Sequence, residues 1–109
     1  GHRAGAVERQ AAALAEQRDE LASVIGLQVR QTWLDVQETR KRLAVTDSAV
    51  AQAEENLQVA RDRYANGLAT HTEVLDAETL RVNSESNHAN ALFDAALASL
   101  RLKRAAGEL

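Results

Sequence analysis

Val36, Leu43, Val50, Leu57 and Tyr64 recur one heptad apart, and Thr39, Thr46, Ala53 and Ala60 follow the first four at a spacing of three. This run leaves little choice of fold. Alternating steps of three and four keep one stripe of an α-helix turned toward a single neighbour, and no strand shares that period. The stripe alternates large and small side chains. Upstream, Val7, Leu14 and Leu21 keep the heptad spacing but lie out of phase with the later set. Ile25 and Val29 bridge the two sets by four-residue steps, a stutter that locally unwinds a supercoil. Gly26 sits at that point, so a soft spot is expected there. The pattern predicts one helix from about residue 4 to 65, roughly 90 Å long at 1.5 Å per residue.

Composition agrees with the pattern. Apolar residues make up 45% of the 109, but Ala supplies much of that, and Phe, Trp and Tyr occur once each. So few large side chains cannot fill a thick globular core. Ala, Glu, Arg, Gln and Leu lose little rotamer freedom in a helix, and Pro is absent. The reading is all-α, built of long coiled-coil-like helices.

One stretch, "RYANGLATHTEVLDA" over residues 63–77, interrupts the helical pattern. Gly67, after Asn66, can take the left-handed conformation that closes a helix. Thr70 and Glu73 have the spacing of a capping box, in which each side chain bonds the other's backbone N–H. A turn over about residues 66–70 therefore joins two antiparallel helices as an αα-hairpin. The second helix is expected from about residue 71 to 106, roughly 54 Å by the same rise. Arg101, Lys103 and Arg104 suit the negative end of its dipole, and Gly107 ends it.

Closing the hairpin with Tyr64 level with about His71 sets Leu57 near Thr79, Leu43 near Phe93 and Val36 near Leu100. It also sets Leu75 against Ala60 and Val82 against Ala53. On this reading the second helix carries Ala77, Leu80, Ala91, Ala95, Ala98 and Leu102 away from the seam. A second apolar side points to contact with a further helix. The second helix ends level with about Val29, so residues 4–28 are expected to lack a partner within the chain. "VNSESNHAN", residues 82–90, is polar on nearly every side and rich in residues that compete for backbone hydrogen bonds. It reads either as a solvated face, or as a helix that lines water on one side and hydrogen-bonds a neighbour on the other.

Several classes are disfavoured. The net charge of -3, with both signs interspersed, offers no basic patch for nucleic acid. There is no Cys to form a disulfide or a thiolate metal site. His2, His71 and His88 are far apart and lack partners at metal-ligand spacing, so no metal or cofactor is expected. The neighbouring acids Asp19 and Glu20, or Glu54 and Glu55, point to different parts of a helix surface. They read as solvated charges rather than a catalytic pair. Asp76, near the start of the second helix, is expected to support its cap. No apolar run approaches the roughly 20 residues that cross a bilayer, and no signal peptide is seen. An exported or membrane-bound parent would therefore contain this chain as an internal piece.

"RYANGLATHTEVLDAETL", followed after a long helix by "ASLRLKRAAGEL", resembles the TolC-type outer-membrane efflux channel family. The matching residues are Tyr64, Gly67, Thr70, the run Val74 to Ala77, and Ala105, Gly107 and Leu109. The opening "GHRAGAVERQAAAL" is similar to the place where a strand leaves the membrane barrel and a long periplasmic helix begins. The resemblance covers almost the whole chain. It implies a homotrimer whose protomers each give strands to an outer-membrane β-barrel and long helices to a periplasmic α-barrel. It further implies two structural repeats per protomer, each with a hairpin whose tip meets a periplasmic adaptor protein. This chain is similar to the hairpin of the second repeat. On that implication Gly67, Leu68, Ala69 and Thr70 are the docking residues. Capping alone accounts for Gly67 and Thr70, whereas an exposed Leu68 at a turn is not explained that way.

Two alternatives remain at this stage. The hairpin of the periplasmic adaptor itself is also long and Ala-rich. Its tip pattern of Arg, Leu and Ser would fall on Tyr64, Leu68 and Leu75 here, however, and the arms here are unequal. An unrelated structural coiled coil would explain the heptads but not the combination "VLDA" with "AAGEL". In isolation the chain is expected to self-associate as an antiparallel dimer, because Val7, Leu14, Leu21 and Ile25 lack partners in the hairpin.

Overall fold

The computed structural model describes residues 1–108, so Leu109, the last residue of the resemblance above, lies outside the described residues. It consists of two helices, α1 (His2–Ala65) and α2 (His71–Ala105), packed antiparallel. The molecule measures 98 × 20 × 14 Å, the length of α1 and the thickness of two helices. The fold is thus the expected all-α antiparallel hairpin. α1 runs unbroken through Gly26, where the stutter falls.

The seam on α1 is the heptad stripe. Val36, Ala53 and Leu57 are buried, and Thr39, Leu43, Thr46, Val50 and Ala60 are half-buried. The seam on α2 runs through Val74, Ala77, Arg81, Ser84, His88, Ala91, Ala95, Ala98, Leu102 and Ala105, all buried or half-buried. These too alternate steps of three and four. Thr46 Oγ1 meets His88 Nδ1 at 3.0 Å, which fixes the level of one helix on the other. Moving from that bond in opposite directions along the two seams sets Leu43 level with Ala91 and Val50 with Ser84. The same steps set Val36 level with Ala98 and Leu57 with Ala77.

The axial level expected from the sequence is right to within about two residues, but the face of α2 is not. Leu75, Val82, Phe93 and Leu100, expected in the seam, are exposed, Phe93 at 67%. Ala77, Ala91, Ala95, Ala98 and Leu102, expected to point away, line the seam, with Ala91 at 1% exposure. The reason is steric. α1 already contributes Val36, Leu43, Val50 and Leu57 at every heptad, and a helix facing them closely must be thin on that side. Phe93 opposite Leu43 would force the axes apart, whereas Ala91 lets them approach.

The polar stretch 82–90 has two sides. Ser84 is buried and His88 half-buried in the seam, while Asn83, Ser86, Asn87 and Asn90 are exposed. Thr46 Oγ1 donates its one proton to the Leu43 carbonyl at 3.0 Å. The His88 contact must therefore be an Nδ1–H donating to Thr46, which leaves Nε2 toward Asp47, 3.9 Å from its carboxylate. Among the described residues no buried side-chain polar atom lacks a partner.

Ala105 at the end of α2 lies level with Val29. Beyond it α1 continues alone, with every residue from 1 to 28 exposed except the half-buried Gly5. Val7, Leu14, Leu21 and Ile25 all lie open there.

The two faces of α2 respond differently to substitution. Ala91→Leu in the isolated chain should cost ~1–3 kcal/mol by overpacking against Leu43. Phe93→Ala should stay within about 0.5 kcal/mol, as for an exposed side chain. Denaturant unfolding of both variants measures this, and the reverse order would put the α2 seam on the wrong face.

Candidate functional site: the hairpin tip

Four local devices build the turn between α1 and α2. The Leu68 N–H donates to the Arg63 carbonyl at 2.8 Å and the Gly67 N–H to the Tyr64 carbonyl at 3.1 Å. That pair of bonds is a Schellman motif, and it requires the residue after the cap to be left-handed. Gly67 has φ +73°. The Arg63 Nη2 donates to the Leu68 carbonyl at 3.1 Å, holding the turn from the other side. Asn66 Nδ2 donates to the Asp62 carbonyl at 2.8 Å. The restart of the chain is equally defined. The Glu73 N–H donates to Thr70 Oγ1 at 3.2 Å, and the Thr70 N–H donates to Glu73 Oε2 at 3.0 Å, completing the capping box. Glu73 is the acid that serves the cap; Asp76 lies one turn further on and is exposed. The Tyr64 and His71 rings lie 5.8 Å apart with a 51° tilt, bridging the two helix ends.

These bonds leave the four candidate docking residues on one small, rigid knob. Gly67 is exposed, and a Cβ built on it meets nothing within 4 Å. Leu68 is 68% exposed, with its backbone tied down and its side chain free. Ala69 is half-buried, and Thr70 is exposed with its hydroxyl committed to the cap. The knob therefore offers one apolar side chain on a backbone that need not order itself on contact. The sequence set Tyr64 level with His71 but did not single out Arg63 or the contact between the two rings. The signal for Arg63 was its place in the last turn of α1, where a cation can reach carbonyls. Tyr64 had been assigned to the seam as its last heptad position, yet it is exposed and turned to His71.

Away from the tip, ion pairs lie on both flanks of the seam. Arg61, Glu78, Arg81 and Glu85 form a chain of contacts at 3.7, 3.6 and 3.1 Å on one flank. Arg42 and Asp94 pair at 2.7 Å on the other. Apart from the half-buried Arg81 these side chains are well solvated, and such pairs contribute little stability each. Among the described residues no group of His, Asp and Glu could hold a metal ion, and no helix is long and apolar enough to cross a membrane.

An unequal-armed helical hairpin, capped at a rigid tip and bare along one face of its shorter arm, is a coiled-coil module of the kind found in helical assemblies. The family model described as outer membrane efflux protein matches residues 2–108, and the chain belongs to that family. No curated protein and no solved structure gave a match.

Gly67→Ala places a Cβ in the left-handed region, where the cost is conformational because the space itself is open. The variant should lose roughly 1 kcal/mol. A melting temperature equal to that of the parent would show that the Schellman turn does not depend on glycine.

Proposed function

We propose that this hairpin is part of the periplasmic α-barrel of a trimeric outer-membrane efflux channel, and that its tip docks a periplasmic adaptor protein. The observation that supports the barrel is a second seam on α2. Leu75, Thr79, Val82, Ser86, Ala89, Phe93, Ala96 and Leu100 again alternate steps of four and three, and all are exposed. At 3.5 residues per turn this line lies about 150° around the helix from the seam that α1 covers. A helix with apolar seams on nearly opposite sides has a neighbour on each. Repeated around a ring, that angle closes with on the order of a dozen helices. Three protomers with two hairpins each would supply that number. The overhang at residues 1–28 fits the same setting, since a barrel offers each long helix further helices to lie against.

The tip reading rests on Leu68. An apolar side chain held out on a backbone already fixed by its own hydrogen bonds loses little conformational entropy on binding. An adaptor presenting a complementary apolar groove would desolvate it. The channel itself would be passive, with its cargo chosen by the pump to which the adaptor connects.

Leu68→Glu in the full-length channel should leave trimer assembly intact and impair efflux. A carboxylate buried without a partner at a contact centre costs ~2 kcal/mol or more, about thirtyfold in docking affinity. Drug-susceptibility assays alongside native gels of the trimer measure both effects. Full resistance in the variant would remove the docking role from Leu68.

The isolated chain should meanwhile satisfy its bare overhang with a second copy. Two α1 overhangs laid antiparallel can set Leu14 against Ala11 and Leu21 against Ala4, large against small as in the hairpin itself. A two-fold dimer is the simplest closed form. Analytical ultracentrifugation should show an elongated particle of twice the chain mass. A compact monomer at all concentrations would rule the dimer out.

A further inference from the structure

The two seams of α2 divide its remaining surface into two unequal arcs, and the inequality assigns an inside and an outside. With the α1-facing seam on Arg81, Ser84, His88 and Ala91, and the bare seam on Val82, Ser86, Ala89 and Phe93, the smaller arc lies over Glu78, Glu85, Leu92 and Ser99. The larger arc lies over Asn83, Asn87, Asn90, Asp94 and Arg101. In any closed ring, the angle between a helix's two neighbours is below 180° on the inner side. The arc of about 150° over Glu78 and Glu85 is therefore the concave one.

The hairpin contacts carry this assignment across to α1. In an antiparallel pair, residues that bridge on one flank of the seam share a side. Arg61 bridges to Glu78 at 3.7 Å and Asp47 faces His88 at 3.9 Å, both on the Glu78–Glu85 flank. Arg42 bridges to Asp94 at 2.7 Å on the opposite flank. One heptad from Asp47 and from Arg61 stands Glu54, exposed on the same flank. Resting on the barrel reading above, we infer that the flank bearing Asp47, Glu54, Arg61, Glu78 and Glu85 lines the water-filled lumen. The flank bearing Arg42, Asn83, Asn87 and Asp94 faces the periplasm outside the ring.

The assignment has a chemical consequence. Side chains on the lumen flank are met by every permeating ion, and the threefold repetition of a trimer makes a ring of each. Rings of charged side chains bias a pore toward the opposite charge. Arg61 and Arg81 lie along a chain of contacts with Glu78 and Glu85, so part of that charge is internally balanced. Among the described residues no ion pair involves Glu54, and Asp47 meets only the His88 ring at 3.9 Å, so these two carboxylates leave the flank with an excess of acidic over basic side chains, Glu54 standing beside Arg61 and Arg81.

The test uses the full-length protein reconstituted in planar bilayers at low salt, where a charge acts over more than ~10 Å. Glu54→Lys should lower the cation-to-anion permeability ratio at least twofold, and Asn87→Lys should leave it unchanged. In parallel, a charged thiol reagent should reduce the current through Glu54→Cys channels and not through Asn87→Cys channels. The reverse pattern in either measurement, or equal responses at both positions, overturns the sidedness while leaving the channel reading standing. Failure of the unmodified protein to conduct ions would overturn the channel reading, and this inference with it.

Discussion

The close approach of α2 to α1 through alanine and serine is the contact on which the rest of the hairpin depends. Ala91, Ala98 and Ser84 are buried because Leu43, Val36 and Val50 stand level with them. A small residue once per heptad, at Ala77, Ser84, Ala91, Ala98 and Ala105, lets the larger side chains of α1 seat against the backbone of α2. The consequence is a flat module 14 Å thick in its narrowest direction. A module that thin buries few whole side chains, and its stability is spread over many shallow contacts. The large apolar groups of α2 at Leu75, Val82, Phe93 and Leu100 are consequently left uncovered by α1.

At the tip, stability comes from hydrogen bonds rather than area. The Schellman bonds, the Arg63 bridge, the Asn66 bond and the capping box all act within the turn between the helices. Each satisfies a backbone group that a helix end would otherwise leave to water. Together they set the angle at which α2 leaves the turn, and so which of its two heptad lines meets α1. The same rigidity presents Leu68 at the end of the hairpin without support from the seam. Tip and seam are thus linked in one direction: the turn chooses the face, and the face then holds the turn closed.

Much of this was legible from residue spacing. The phase of Val36, Leu43, Val50 and Leu57 identifies the seam of α1, and Gly67 with Thr70 and Glu73 identifies both caps, because these signals are local. The face of α2 was not legible, because α2 carries two lines of equal period. Choosing the line with Leu75, Val82 and Phe93 follows the rule that large apolar residues are buried. That rule fails on α2, whose large line is left exposed while its small line is the one that α1 covers. A better criterion was available: with large residues already at every heptad of α1, the small line was the complementary one. The stretch 82–90 was also readable only in part. Its composition announces a polar helix, but Thr46 pairs with His88 only because the register brings them together.

Besides scattered exposed side chains such as Trp33, Val45, Val59 and Leu80, the apolar surface of this chain includes three places with three different geometries. The line through Leu75, Val82, Phe93 and Leu100 is long and straight, which suits a parallel or antiparallel helix. The overhang seam through Val7, Leu14, Leu21 and Ile25 joins the hairpin seam through the stutter at Gly26, which suits a helix collinear with α2. Leu68 is a single point at the far end, which suits a pocket. A chain that folded for itself would gain by burying all three, and none of them can be reached by another part of the same hairpin. Membership of the outer membrane efflux protein family gives the separation a purpose. On the reading proposed above, lateral neighbours, axial neighbours and a partner at the tip would occupy surfaces that do not compete, so assembly of a barrel and docking at its end would not disturb each other.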